Sequence, residues 1–358
     1  MEYFGERSEN TISNNMKKIF SVVAVFAFLF FDAAAHAQLT QSITKVGTTA
    51  AQFLKIGAGV RAVGMGGAFV AVANDVTALY WNPAGIATIS GGGEATFNHA
   101  EWLAETAYDF AGVTLNAGNF GTLGLSVISF RVPEDEVRTY RFPEGTGERF
   151  DMSSIALAVS YGRMLTDRFA IGFTGKYVQD NVWNETAQGL AIDLGTHYVT
   201  PFNGLRIGAA ITNFGTKMQL EGRDLYFNYD PLPGESGTVD QVPALYRLGK
   251  YEMPLTLRLG LAYDVINQEN LKVTVASDAV HPNDNSEYVN SGMEINLRNQ
   301  VYLRGGYKAL FLENSEQSFT FGGGLRYDAV GTNLKIDFGY ADYGRLENVQ
   351  FVSFTVRF

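Results

Sequence analysis

Residues 255–263 read Leu255-Thr-Leu-Arg-Leu-Gly-Leu-Ala-Tyr263, with Leu255, Leu257, Leu259, Leu261 and Tyr263 alternating with Thr256, Arg258, Gly260 and Ala262. Successive side chains of an extended strand point to opposite faces, so this is a strand with one apolar face and one of small and charged groups. The same split recurs in Leu205/Ile207/Ala209/Ile211 against Arg206/Gly208/Ala210/Thr212 and in Leu334/Ile336/Phe338/Tyr340 against Lys335/Asp337/Gly339/Ala341. Phe319, Phe321, Leu325 and Tyr327 likewise oppose Thr320, Gly322, Gly324 and Arg326. From Glu94 onward the chain carries fourteen such segments, the first at 94–101 and the last at 349–358, with 121–131 and 152–163 flanking a long connection.

A soluble sandwich would turn the apolar faces inward, and a membrane barrel would turn them outward. The connections favour the barrel. Every second one is tight, as at Asn116–Phe120, Leu165–Arg168, Thr200–Asn203 and Arg298–Gln300, whereas the others are mostly longer, above all Val132–Asp151 and Gly215–Glu252. An outer-membrane barrel keeps short turns on its periplasmic side and long loops outside, and a sandwich has no reason to keep that parity. The apolar faces end in aromatic residues suited to interfacial girdles, at Tyr177, Trp183, Tyr198, Tyr263, Tyr307 and Tyr340, and the final strand ends on Phe358. The expected fold is all-β, a fourteen-stranded antiparallel transmembrane β-barrel with an N-terminal plug.

The other face of these strands then lines a lumen, bearing Lys176, Asp193, Arg206, Arg258, Glu294, Arg304, Arg326, Lys335 and Asp337. Mutual pairing and plug docking account for such charges. A conduction path, or retention of an acidic ligand by arginine, is the sharper reading.

Met16-Lys-Lys, an apolar run from Ile19 to Phe31 and Ala35-His-Ala37 have the form of a secretory signal peptide. The run is shorter than the roughly 20 residues of a membrane span. Residues 1–37 are therefore expected to be removed after Ala37, with Met16 the start, leaving 38–93 as plug and 94–358 as barrel. Within the plug, Gly57–Ser90 is too broken by glycine for a spanning helix and too apolar for a surface loop, so it needs enclosing. Its GxGxx(G/A) pattern at Gly57, Gly59 and Ala62 lacks the strand, acidic partner and βαβ alternation of a dinucleotide site. Gly64, Gly66 and Gly67 suit tight turns, and Asn82-Pro83 suits a cap and first-turn proline.

The run Arg61-Ala-Val-Gly64-Met65-Gly66-Gly67-Ala-Phe-Val-Ala-Val-Ala-Asn74-Asp75, followed by Ala78-Leu-Tyr-Trp81-Asn82-Pro83-Ala84-Gly85, resembles the N-terminal signature of the PorV/PorQ family. These are outer-membrane proteins associated with the type IX secretion system and related to FadL-type fatty-acid transporters. The resemblance implies a bacterial outer-membrane barrel that binds secretion-system proteins or secreted cargo at the cell surface. The alternative it carries is a transporter of hydrophobic molecules with an apolar ligand in the lumen. Asn74, Asp75 and Asn82 are read as turn caps and Trp81 as packing against the wall, with gating as the sharper role.

The chain is 46% hydrophobic and 18% charged, with 39 Gly and a net charge of −10, which leaves nothing to neutralise nucleic-acid phosphates. It has no cysteine. His99, His197 and His281 are far apart and without ligand spacing, no GxSxG occurs, and no cofactor or metal pattern is present, so no catalysis is expected. Asp278, Asp284 and Glu287 are read as solvated carboxylates of an outer loop, with calcium as the sharper alternative. The loop Gly215–Glu252 carries Arg223, Tyr226, Phe227 and Tyr229 beside prolines, a composition suited to binding a protein or admitting an apolar ligand.

Overall fold

The structure is a computed structural model that describes residues 45–358 except 203, 232–240 and 330. The signal-peptide segment and residues 38–44 lie outside the described residues. Fourteen long strands form one antiparallel sheet closed on itself: β1 (Gly93–Glu101), β2 (Ala107–Asn116), β3 (Thr122–Glu136), β4 (Arg149–Thr166), β5 (Phe169–Val182), β6 (Glu185–Val199), β7 (Leu205–Gly215), β8 (Thr256–Asn267), β9 (Leu271–Pro282), β10 (Tyr288–Leu297), β11 (Val301–Leu310), β12 (Phe319–Ala329), β13 (Thr332–Asp342) and β14 (Asn348–Arg357). Each strand pairs with its chain neighbours, and β14 pairs with β1 in the register Thr355↔Thr96 and Phe351↔Ala100. Closure leaves no free edge, which is what a sheet in lipid requires.

Side-chain exposure fixes which face is outside. On β8, Leu259 is 54% exposed while Arg258 beside it is 7% exposed. Leu125, Phe173, Leu194, Phe321, Ile336 and Phe354 are exposed in the same way, so the apolar face is the lipid face. Aromatic pairs stand near both rims, Tyr307 against Phe319 at 4.9 Å toward the long loops and Phe169 against Tyr198 at 6.3 Å toward the short turns. No described helix is long and apolar enough to cross a membrane.

Two connections differ from the reading of the sequence. β3 and β4 run on to Glu136 and Arg149, so the stretch Val132–Asp151 is largely an extended hairpin. Pairing of exposed strands continues past the lipid band because Asp135↔Phe150 and Glu136↔Arg149 still satisfy each other's backbone. The stretch Gly215–Glu252 is not featureless either: Glu221–Gly222 pairs with the outer end of β6, and Tyr226–Tyr229 forms a small hairpin with Val242–Leu245. β5 and β6 are joined outside by Trp183 and Asn184 alone, Trp183 taking φ 55, so there the long strands themselves form the outer projection.

The lumen is occupied by residues that precede β1. A 3-10 turn (Gln52–Lys55), helix α1 (Val60–Gly64), helix α2 (Ala78–Trp81) and a second 3-10 turn (Pro83–Thr88) follow one another there, and Ala58, Met65, Phe69, Val70, Leu79 and Ile86 are buried. Both helices are too short to be stable alone; tertiary contact holds them.

Candidate functional site

The wall receives this segment on paired glycines. Gly162, Gly172 and Gly195 lie opposite one another on β4, β5 and β6, as do Gly208 and Gly260 on β7 and β8, Gly292 and Gly306 on β10 and β11, and Gly322 and Gly339 on β12 and β13. A Cβ on Gly172 would overlap the Pro83–Ala84 peptide, one on Gly292 the Met65 carbonyl, and one on Gly306 the Met65–Gly66 peptide. Without side chains the wall lets backbone meet backbone. The reverse holds at Gly66, whose φ is +67 and where a Cβ would stand 2.8 Å from the Tyr307 backbone N and O.

Polar wall residues then satisfy backbone groups that short helices leave open. Asp278 Oδ2 accepts from the Phe69 and Val70 amides at 2.8 and 2.9 Å. The Thr320 hydroxyl accepts from Gly66 N at 2.9 Å and donates to Gly64 O at 3.2 Å. His197 Nε2 lies 3.1 Å from Ala71 O, and Glu94 Oε1 accepts from Val76 N at 3.3 Å. Asn82 caps the turn that starts at Pro83, its Oδ1 accepting from Ala84 N at 3.1 Å, while its Nδ2 donates to Val70 O at 2.9 Å and to Thr196 O on the wall at 3.0 Å.

Arg61 is the centre of the charged contacts. Its Nε and one terminal nitrogen donate to both oxygens of Glu294 at 2.9 and 2.8 Å, and the other terminal nitrogen reaches Asn74 Oδ1 at 2.6 Å and Asp75 Oδ2 at 2.8 Å. Glu294 also accepts from Arg304 at 2.7 Å, Arg304 reaches Asp337 at 2.7 Å, and Lys335 closes the chain to Asp337 at 3.3 Å. Burial opposes ionisation of Asp75, but the Arg61 charge beside it outweighs that and holds its carboxyl below the usual range. Burial likewise works against the Arg61 cation, and the Glu294 and Asp75 carboxylates reverse it, so this arginine stays protonated.

All nine charges read as luminal project inward. Lys176 pairs with Asp193 at 2.7 Å, Arg206 with Asp264 at 2.6 Å and Arg326 with Asp328 at 2.7 Å, apart from the Arg61 cluster. Arg258 donates to Thr212 at 3.0 Å and lies over the Trp81 ring at 5.4 Å. Trp81 itself packs chiefly within the luminal segment, against Phe69 and Tyr80, with Nε1 donating to Ala58 O at 2.7 Å.

The carboxylates near the β9–β10 loop correct the reading of the sequence. Asp278 is a wall residue and Asp284 is fully buried; only Glu287 is solvated, paired with His281 at 2.9 Å. Asp284 accepts from Lys55 at 2.7 Å and from Thr49 at 2.8 Å. Burial opposes its charge, yet those hydrogen bonds hold its carboxyl below the usual value. The contacts of Asp278, Glu94, Thr320 and Asp284 with the luminal segment escaped sequence reasoning because nothing local in a strand or loop marks a partner elsewhere in the chain; glycine recurring at inward positions was the available signal.

Two cavities flank the segment and share no lining residue. One, of about 290 Å³, is polar and lies at the short-turn end, bounded by Arg61, Asn98, Arg206, Asn299, Lys335 and Arg357 among others. The second, of about 560 Å³, lies under the long loops and is mostly apolar, with Phe53, Trp102, Phe130, Met152, Met218 and Tyr251 in its wall. Among the described residues, 57–86 separate them. Outside, Tyr226 and Tyr229 are exposed on the loop hairpin, Arg223 is exposed in the turn before it, and Phe227 stacks on Tyr246 at 4.3 Å.

The family model for "Type IX secretion system protein PorV" matches residues 38–226, which include the luminal segment and the first seven strands. The chain belongs to the PorV family. It is a component of type IX secretion in the bacterial outer membrane. No curated protein matches this PorV-family chain. Its fold is similar to that of the Ralstonia pickettii toluene transporter TbuX (TM-score 0.52, 13% identity, 84% of this chain and 97% of that one). It is similar as well to the toluene transporter TodX of P. putida (0.53, 12%, 84% and 96%) and to a Pseudomonas aeruginosa FadL homologue (0.51, 12%, 84% and 97%). At these identities the likeness is one of fold.

Proposed function

We propose that this PorV-family barrel holds secreted cargo or partner proteins of the secretion system on its outer loops, with residues 38–93 acting as a fixed plug. The observation that carries the reading is the lumen. Residues 57–86 are wedged against glycine rows and tied by Arg61 to Glu294, while the surface that projects outward is a hairpin bearing Tyr226, Phe227 and Tyr246. Exposed aromatic side chains such as Tyr226 and Tyr246 are suited to anchoring a protein partner. In this reading the luminal charges serve docking rather than conduction, and a signal peptide removed after Ala37 directs the chain to the periplasm.

The apolar outer cavity supports a second reading, a FadL-like role in which a hydrophobic molecule enters between the loops. The test is capture of the tagged barrel from detergent-solubilised outer membranes, followed by protein and lipid mass spectrometry of the same sample. Stoichiometric secretion-system subunits or secreted proteins, lost when Tyr226, Phe227 and Tyr246 are replaced by serine, support the first reading. A barrel recovered alone with a bound apolar molecule overturns it in favour of the second.

A further inference from the structure

We infer that the polar cavity at the short-turn end takes an acidic peptide segment, seated by the Asn98 carboxamide and the cations around it. This goes beyond cell-surface binding and rests only on the barrel standing with its short turns in the periplasm. Asn98 faces the cavity from β1 and is 4% exposed, yet neither its Oδ1 nor its Nδ2 has a partner. The wall residues Asp278 and Arg304 each have an unpartnered atom but are held through another atom, whereas Asn98 has both its donor and its acceptor open, so this carboxamide needs a reason. A carboxamide carries one acceptor and two donors, and a peptide group carries the complement of that pair. A fully deprotonated oxyanion such as sulfate accepts only and would leave Oδ1 open.

Strand register places the charges beside it. Asn98 lies opposite Ser353 on β14, and Ser353 opposite Asp337 on β13; one row nearer the periplasm, Thr96, Thr355, Lys335 and Arg326 follow one another across β1, β14, β13 and β12. Neighbouring strands stand about 4.8 Å apart, so a short extended segment laid across this row spans Asn98 and Lys335. The lining carboxylates already have partners: Glu94 has Arg357 and Val76 N, Glu294 has Arg61 and Arg304, and Asp337 has Arg304. The lining holds six cationic side chains and four carboxylates, with Asp264 and Asp328 just outside it paired to Arg206, Lys272 and Arg326, and Lys335, with three donors, reaches its carboxylate only at 3.3 Å. The volume is near the lower limit of about 300 Å³ for ligand pockets, the size for a few side chains of a tail rather than a folded domain.

The test uses the full refolded barrel in nanodiscs and fluorescence polarisation with two labelled probes, tetra-aspartate and tetra-asparagine. Tetra-aspartate is expected to bind at least about tenfold more tightly and to weaken as salt rises. Asn98→Leu keeps the branched shape and removes both polar atoms; it should weaken tetra-aspartate about fivefold, and Arg326→Gln, nearer solvent, should weaken it by a similar factor. Replacing Tyr226, Phe227 and Tyr246 by serine should leave the binding unchanged, which separates this site from the surface one. Equal binding of the two probes overturns the inference. So does unchanged affinity in folded Asn98→Leu and Arg326→Gln barrels, and so does full displacement by millimolar inorganic phosphate, which would mark a simple oxyanion site.

Discussion

Gly208→Ala tests whether the luminal segment is seated on the glycine rows as described. The new Cβ would stand 2.5 Å from Val70 O, 2.7 Å from its carbonyl carbon and 2.9 Å from Ala71 Cα. Ordinary carbon contacts lie at about 3.5–4.0 Å, so the Val70–Ala71 peptide must withdraw by roughly 1 Å. The peptides on either side of it are held to the wall by Val70 N on Asp278 at 2.9 Å and by His197 against Ala71 O at 3.1 Å, and a withdrawal of that size pulls on both neighbours and breaks these bonds. Overpacking costs about 1–3 kcal/mol and each lost hydrogen bond about 1 kcal/mol, for a total of about 3–5 kcal/mol. Gly175→Ala is the control. It sits on the lipid face of β5 with nothing within 4 Å of a Cβ, so it should be neutral or stabilise by up to about 1 kcal/mol. Urea unfolding in liposomes followed by tryptophan emission, with protease sensitivity of residues 45–92 in parallel, reads the difference. If the two variants unfold at the same urea concentration and resist protease alike, the seating argument fails.

Arg61→Lys keeps the charge but not the fork that holds both Glu294 oxygens, and should cost about 3 kcal/mol through the loss of two charge-assisted hydrogen bonds; thermal conversion of the folded band on a gel measures it. Asp278→Ala leaves the Phe69 and Val70 amides unpaired and should cost about 2–4 kcal/mol in the same assay. Asp75 and Asp284 both have carboxyls held below their usual pKa, so their contribution is complete above the ordinary value of about 3.9 and is lost only as pH falls through their lower folded values. Protease protection of residues 45–92 should therefore stay level from neutral pH to about pH 5 and decline below about pH 4; a decline near pH 6 would contradict it.

The strands were legible because lipid imposes a strict period of two: Leu259 and Arg258 must part to opposite sides, and hydropathy records that. The Asn82-Pro83 cap was legible for a local reason, since the side chain serves an amide two residues away. What joins distant residues was not. Asp278 contacts Phe69 and Val70 about two hundred positions away, and no single-strand pattern marks it. The strand ends at Glu136 and Arg149 were missed because outside the membrane both faces of a hairpin meet water and the alternation disappears.

Glu94 has one more consequence, for the chronology of assembly. It stands on the first strand, accepts Val76 N from the luminal segment and pairs with Arg357 on the closing strand, where Gly92 and Gly93 donate to Phe358 O. The ladder between β1 and β14 can form only after the other strands have arrived, and a segment packed backbone to backbone on several sides cannot be threaded into a finished cylinder. It must be in place while the sheet is still open. One carboxylate therefore touches both the luminal segment and the closing strand, and it is fully paired only when both are in place.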